Sequence, residues 1–474
     1  MRMTRIIPLV FLVFVFSGCA TVPRDAGLSD VLRDIETRSG FEAHYQPNWF
    51  AGEADSIIVK QLQTLLADTL TMDKAVQAAL LNNRRLQATF ASLGVARADL
   101  LQAGLFRNPV FGTHLGYPTE EDHAPDIELS LSFNFLDFFH APLKKAVAAS
   151  SFEEAKLRVT SEVLALTGEV MQAYFDVEVA AQLFELTGQV ALSAKGSFEA
   201  ARLLRDAGNL RAIDMYTEQS FYEQARIDLA RAQMDIMNSR EHLNQLLGLW
   251  GPDVAWETSG RLPAILDELP MMEMFEKQAV TASIDLALAN QQTETLARRL
   301  GVVNATRLLP ELSVGIGATR EGSWEVGPEF GFPVPLFDQG QARKAGAVAV
   351  LQQEQANYYA LGIEVRAASR MARAHLTTAH QTALQYRDVV VPLRNQISAE
   401  AQTLMNAMQI GVFQLIDARR QEIQAGKMYI ESLRDYWRAY TNYQLLLQGK
   451  LPQGGVEMPV SATDMMPETS SGGH

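Results

Sequence analysis

The stretch DIELSLSFNF, residues 126–135, places Ile127, Leu129, Leu131, Phe133 and Phe135 at every second position, with Glu128, Ser130, Ser132 and Asn134 between them. Strict alternation of this kind marks a strand with one apolar and one polar face. WEVGPEFGF (324–332) repeats it, alternating Trp324, Val326, Phe330 and Phe332 with Glu325, Gly327, Glu329 and Gly331. ELSVGIGAT (311–319) does so through Leu312, Val314 and Ile316, and VFGTHLGY (110–117) through Phe111, Leu115 and Tyr117. Each segment is close to the roughly nine to eleven residues that cross an outer membrane as a tilted strand. A small soluble sheet packed on helices would show the same alternation, so the neighbouring segments decide between the two.

Those neighbours are helices far too long to fold back over a sheet. No proline interrupts Leu143 to Gly251. Ala148, Phe152, Ala155, Val159, Val163, Leu166, Val170, Ala173 and Val177 recur at steps of three and four, a seam meant for another helix. Gly208 in "DAGNL" suits a left-handed helix end, which gives a helix of about 65 residues, or roughly 100 Å. The plan repeats about 200 residues later. ARLLRDAGNLRAIDMYTEQ (201–219) lies opposite AQTLMNAMQIGVFQLIDAR (401–419), HLNQLLG (242–248) opposite NYQLLLQ (442–448), and LLQAGLFRNPVFGTHLG (100–116) opposite GVVNATRLLPELSVGIG (301–317). In the second half Asp338 of PLFDQGQ is the expected N-cap, with Gln341 completing a capping box. Pro392 is expected to kink that helix, and its turn falls at 407–411.

Four strands cannot close a barrel, and an open edge in lipid leaves backbone groups unpaired. The strands must therefore be pooled among copies: two copies give eight strands with a filled interior, three give twelve with an aqueous lumen. Glu128, Glu325 and Glu329 fall on the inward face, as the lining of a water-filled barrel lumen would require.

The only cysteine, Cys19, follows Ile6–Phe16, an apolar run of signal-peptide length preceded by Arg2 and Arg5. Ser17 and Gly18 are small, as a peptidase requires, and the thiol itself points to a lipoprotein signal with lipidation at Cys19. Loss of residues 1–18 takes the net charge from −14 to −16 and leaves no thiol for disulfide, redox or cysteine–zinc chemistry. So acidic a chain is not built to bind nucleic acid. The eight histidines form no HExxH motif or triad set, and His375 and His380 are five apart, off a common helix face. An enzyme is not expected, nor a cofactor.

The lipobox, the duplicated plan, AVQAALLNNRRLQATFASLGVARADLLQAG (75–104), PLFDQGQ (335–341) and the two helix turns together resemble the outer-membrane efflux proteins of the TolC type. The resemblance spans about residues 70–450. It implies a mainly α fold with a membrane β-barrel: a homotrimer joining a long α-helical periplasmic barrel to a shared 12-stranded β-barrel, four strands per chain. The chain would divide into a lipoprotein signal peptide (1–18), an anchor and linker (19–70), a first repeat (71–248), an equatorial segment (249–280), a second repeat (281–449) and a flexible tail (450–474). The resemblance further implies an outer-membrane exit duct of a tripartite efflux system, extending into the periplasm. Its partners would be outer membrane lipid, a periplasmic adaptor (membrane fusion) protein and an inner-membrane pump. Asp214 and Asp417 match gate aspartates of the family, while Gln414 stands where another aspartate is usual. The Tyr and Arg that tie some members shut correspond to Met405 and Ile410, and the turn glycine to Met408. NAMQIGVFQLIDARRQEIQAGKMYIESLRDYW (406–437) and LDFFHAPLKKA (136–146) resemble the metal-resistance branch. The tail EMPVSATDMMPETSSGGH carries three Met and a His, soft ligands for copper or silver, but a disordered end is the plainer reading. The competing reading is a lipid-anchored periplasmic coiled-coil scaffold without a pore, which gives no reason for the apolar alternation at 127–135.

The anchor can be tested directly. Mass spectrometry of the mature protein is expected to find a triacylated Cys19 at the N-terminus, and Cys19→Ser to impair processing more than function, because several acyl chains and a barrel anchor independently. An unmodified N-terminal peptide would contradict it.

Overall fold

The computed structural model describes residues 27–40, 53–116, 126–321 and 323–452. The signal segment, Cys19 and most of the Met/His tail lie outside the described residues. Helices α1 (Leu28–Ser39), α2 (Glu53–Leu66), α3 (Met72–Asn82) and α4 (Arg84–Ala103) lead into strands β1 (Val110–Gly116) and β2 (Asp126–Asn134). The 70-residue helix α5 (Asp137–Asp206) then turns into α6 (Ala212–Leu247). The second half repeats the order with α7 (Phe275–Ala282), α8 (Ile284–Thr306), β3 (Ser313–Glu321), β4 (Ser323–Gly331), α9 (Gln341–Gln385), α10 (Val391–Asn406) and α11 (Val412–Gln448). Among the described residues, no helix is long and apolar enough to cross a membrane.

The duplication is structural down to single hydrogen bonds. Asn83 caps α4 through its side chain, accepting from the Leu86 N–H at 3.0 Å; Ser283, 200 residues on, caps α8 from Leu286 at 3.2 Å. Gly248 and Gly449 end α6 and α11 in the left-handed region, with φ of 69° and 95°. A Cβ at Gly248 would lie 2.7 Å from the Asn82 carbonyl oxygen, and one at Gly449 would meet that of Ala282, so only glycine lets each of these helices close on its neighbour. At the hairpin turns, the N–H groups of Ala207, Gly208 and Asn209 donate to Leu203, Arg205 and Leu204; those of Ala407, Met408 and Gln409 donate to Thr403, Met405 and Leu404. The same helix-ending motif is thus built twice, once on glycine and once on Met408, whose φ is 59°.

Three expectations shift. The first long helix begins at Asp137, six residues ahead of Leu143, with Pro142 tolerated near its start. The second begins at Gln341, not beyond an Asp338 cap: Gly340 is the N-cap, the Asp338 carboxylate accepts from the Gly340 N–H at 2.8 Å, and Gln341 accepts from Gln339 at 2.8 Å. The expected capping box is not formed, because Gly340 has no side chain to cap with and Asp338 and Gln341 brace the turn before the helix instead. The irregularity expected at Pro392 falls just ahead of it, where a π-helical turn over Tyr386–Val390 accommodates the missing N–H and the ring.

The main core lies halfway down the long helices, where residues 249–274 wrap them. Trp256 is fully buried there, its indole donating to Asn244 at 2.7 Å with the Arg240 guanidinium 4.0 Å over its ring. Leu262, Ile265, Met272 and Phe275 join Val170, Phe175, Leu243, Leu376 and Tyr436 in the same cluster. Buried Glu178 of α5 accepts from Tyr174 at 2.9 Å and from Ser259 of the wrapping segment at 2.8 Å. Burial, then that carboxylate, push the Tyr174 phenol pKa up.

Met408 is the one position where a side chain occupies the left-handed region among the described residues, at a cost of about 1–2 kcal/mol. Met408→Gly is expected to tighten the turn by roughly 1 kcal/mol, read as slower proteolytic nicking at 405–411, whereas Gly208→Ala should accelerate nicking at 205–211.

Candidate functional site

The strands form one antiparallel sheet in the order β1-β2-β3-β4, so the repeats meet along β2 and β3 and both outer edges are unpaired within the chain. Register sorts the side chains into two faces. Phe111, Leu131, Ile316 and Pro328 share one row, Phe133, Val314 and Phe330 another, and Leu115, Ile127, Arg320 and Trp324 a third, all on one face. These groups are open to the surroundings: Phe111 is 65% exposed, Val326 70% and Phe330 67%. Phe133, near the end of the sheet, meets Phe138 in the first turn of α5.

The opposite face is polar and low. His114, Glu128, Thr319 and Glu325 stand in one row, and Ser132, Gly315 and Glu329 lie four residues along. The three glutamates expected on a common face are therefore brought together on it. Between them runs the row Gly112, Ser130, Gly317, Gly327, stripped almost to backbone, and the Glu329 carboxylate lies over the space a side chain at Gly317 would fill. His114, in register with Glu128, was not singled out from sequence; the alternation of VFGTHLGY already put it opposite Phe111 and Leu115.

At the other end of the helices, the gate candidates have local partners. Asp214, at N3 of α6, accepts from Arg211 at 2.8 and 3.0 Å, and these bonds hold the Arg211 guanidinium pKa above its ordinary value. Asp214 is thus no bare carboxylate, as the sequence alone suggested. Gln414 spends its side-chain oxygen on the Gly411 N–H at 3.1 Å, capping α11. Asp417 is exposed and accepts from Gln421 at 2.7 Å.

One contact near the turns could not be found from spacing. Glu218 of α6, 1% exposed, receives Arg420 of α11 at 3.1 and 3.2 Å and the Ser197 hydroxyl of α5 at 2.6 Å. The Arg420 guanidinium also stacks 3.7 Å from the Phe221 ring centroid. Among the described residues it makes the only hydrogen bonds between residues 185–247 and 391–430, so it clips the two hairpins together. His380 is a structural residue, its ring hydrogen-bonded to the Leu266 carbonyl at 2.7 Å. Among the described residues no three His, Cys, Asp or Glu side chains converge as a metal site.

A family model described as outer membrane efflux protein matches residues 75–249, the first repeat. The cobalt-zinc-cadmium resistance protein CzcC of Cupriavidus metallidurans is 23% identical over 412 residues, covering 85% of this chain and 97% of that protein. The outer-membrane channel OprN shares the fold with a TM-score of 0.66 at 18% identity, over 91% of this chain and 98% of its own. The Campylobacter jejuni CmeC outer membrane channel gives 0.65 at 14% identity, over 91% and 94%. The first repeat thus matches the outer membrane efflux protein family in sequence, and nearly the whole chain shares the fold of solved outer-membrane channels.

Glu218→Ala would leave the Arg420 guanidinium without its buried partner, a loss of about 3 kcal/mol. Amide exchange is expected to quicken in 212–225 and 412–425 while protection around Trp256 is kept; uniform protection would show the clip to be dispensable.

Proposed function

We propose that three copies of the chain close one 12-stranded barrel and one helical tube, forming the outer-membrane exit duct of a tripartite efflux system. The observation that carries this is the sheet: an exposed apolar face bounded by two unpaired edges. Lipid is the surroundings in which such a face is stable, and closure between copies is what satisfies the edges there. The polar face then becomes the lumen lining, with Glu128, Glu325 and Glu329 in the water path and the glycine row keeping it wide. The helices extend into the periplasm, where a periplasmic adaptor and an inner-membrane pump complete the path, and lipidation at Cys19 adds a second anchor. The duct performs no chemistry and needs no cofactor. Metal ions are the proposed cargo, on the likeness to a cobalt-zinc-cadmium resistance protein.

In this assembly the two helix turns form the gate. Asp214 and Asp417 from three copies gather carboxylates near the axis, where like charges attract counter-cations. Gln414 adds no charge, and Arg211 offsets part of that of Asp214, so Asp417 carries most of the field.

Native mass spectrometry is expected to give a trimer and no folded monomer, and a planar bilayer to give cation-preferring channels. Asp214→Asn with Asp417→Asn should weaken that preference at unchanged trimer yield, the Asp417 change accounting for the larger part. A stable folded monomer that never conducts would favour the poreless scaffold. A conducting double variant with wild-type selectivity would place the gate elsewhere.

A further inference from the structure

Each long helix carries the same basic step near its start, at the eighth and ninth residues of α5 and the third and fourth of α9. Lys144, Lys145 and Ala146 in PLKKA correspond to Arg343, Lys344 and Ala345 in QARKA, one repeat apart and with no acidic residue in either stretch. This stands out in a chain whose net charge is −14. The first cation of each step is committed locally: Lys144 lies 3.2 Å from Asp137, and Arg343 3.8 Å from Asp338. The second is not. Lys145 and Lys344 are exposed, and among the described residues neither meets a carboxylate.

Each step also follows an aromatic residue, and in α5 that residue packs on the sheet. An exposed phenylalanine precedes each free lysine by seven residues, Phe138 before Lys145 and Phe337 before Lys344. Phe138 packs edge-on against Phe133 of the apolar sheet face, centroids 6.4 Å apart, and against Phe106 at 4.6 Å. Seven residues are two helical turns, so Lys145 lies on the same side of α5 as Phe138, about 10 Å farther from the sheet. Passing down from the apolar band one therefore meets an aromatic ring and then a cation on a flexible stem. That is the order of hydrocarbon, interface and headgroup phosphate in one leaflet.

We propose that the dibasic steps at 144–145 and 343–344 form a ring, six steps in a trimer, that holds anionic glycerophospholipid headgroups in the periplasmic leaflet. The occupant follows from charge and from continuity with the lipid-facing sheet. Lys144 and Arg343 are braced by their aspartates, and Lys145 and Lys344 reach the phosphates. The bound lipids fix the depth of the barrel by charge as well as by hydrophobic thickness. This rests on the trimeric channel proposed above.

The test is native mass spectrometry of the detergent-purified trimer, titrated separately with phosphatidylglycerol and phosphatidylethanolamine. The wild type is expected to retain phosphatidylglycerol preferentially. Lys145→Gln with Lys344→Gln should weaken that retention by about fivefold per lysine, each cation near an anionic surface contributing about that factor. Lys145→Arg with Lys344→Arg should preserve it. A trimer that holds both lipids equally, or a Gln variant that keeps the preference, overturns the headgroup ring and leaves the channel standing. A wild type that yields no trimer overturns both.

Discussion

A backbone amide or carbonyl in hydrocarbon must find a partner within the protein, and this requirement governs the rest of the structure. The four-stranded sheet presents its apolar face outward and leaves the outer edges of β1 and β4 unpaired. In water such edges would invite aggregation; in lipid each unpaired group costs several kcal/mol. Only closure with other copies removes the penalty, and a lumen wide enough to conduct follows from the strand number that closure needs. Oligomerisation is therefore the condition under which the strands are stable at all.

The helices solve a different problem with the same duplicated plan. A 70-residue helix cannot be stabilised by propensity; it depends on a continuous seam and on firm joints. The joints are a core halfway along, plugged by Trp256, and the Glu218–Arg420 clip near the turns. Between them, polar faces and small buried residues such as Ala191, Ala194 and Ala225 give close but shallow packing. Helices tied firmly at mid-length and through few side chains near their turns have the distribution of stability that the proposed gate would require.

Much of this was legible in the sequence, for physical reasons. The strands lie within two or three residues of their expected bounds because period-two alternation has no helical counterpart. The turn at Met408 could be read only through the repeat: no residue there announces a left-handed conformation, but Gly208 does so one repeat earlier. The displaced cap at Asp338 shows the limit of local rules, since Gly340 can also open a helix and leaves the aspartate to brace the turn before it. Glu218 and Arg420 were beyond reach, being ordinary helix charges in sequence and 202 residues apart. The partnering of Asp214 by Arg211, three residues away, was within reach of spacing rules and alters how much charge the proposed gate would hold.

The most direct measurement is a disulfide between the two open edges. In a Cys19→Ser background the chain has no other thiol, so one cysteine in β1 and one scanned along β4 report only on their own contact. Within a chain those strands are three strand spacings apart, about 14 Å, too far for a disulfide. Shared closure predicts intermolecular products that stop at the covalent trimer for one register of positions. Chains that stay monomeric at every register, or that polymerise past three, would contradict a barrel built from three copies of this sheet.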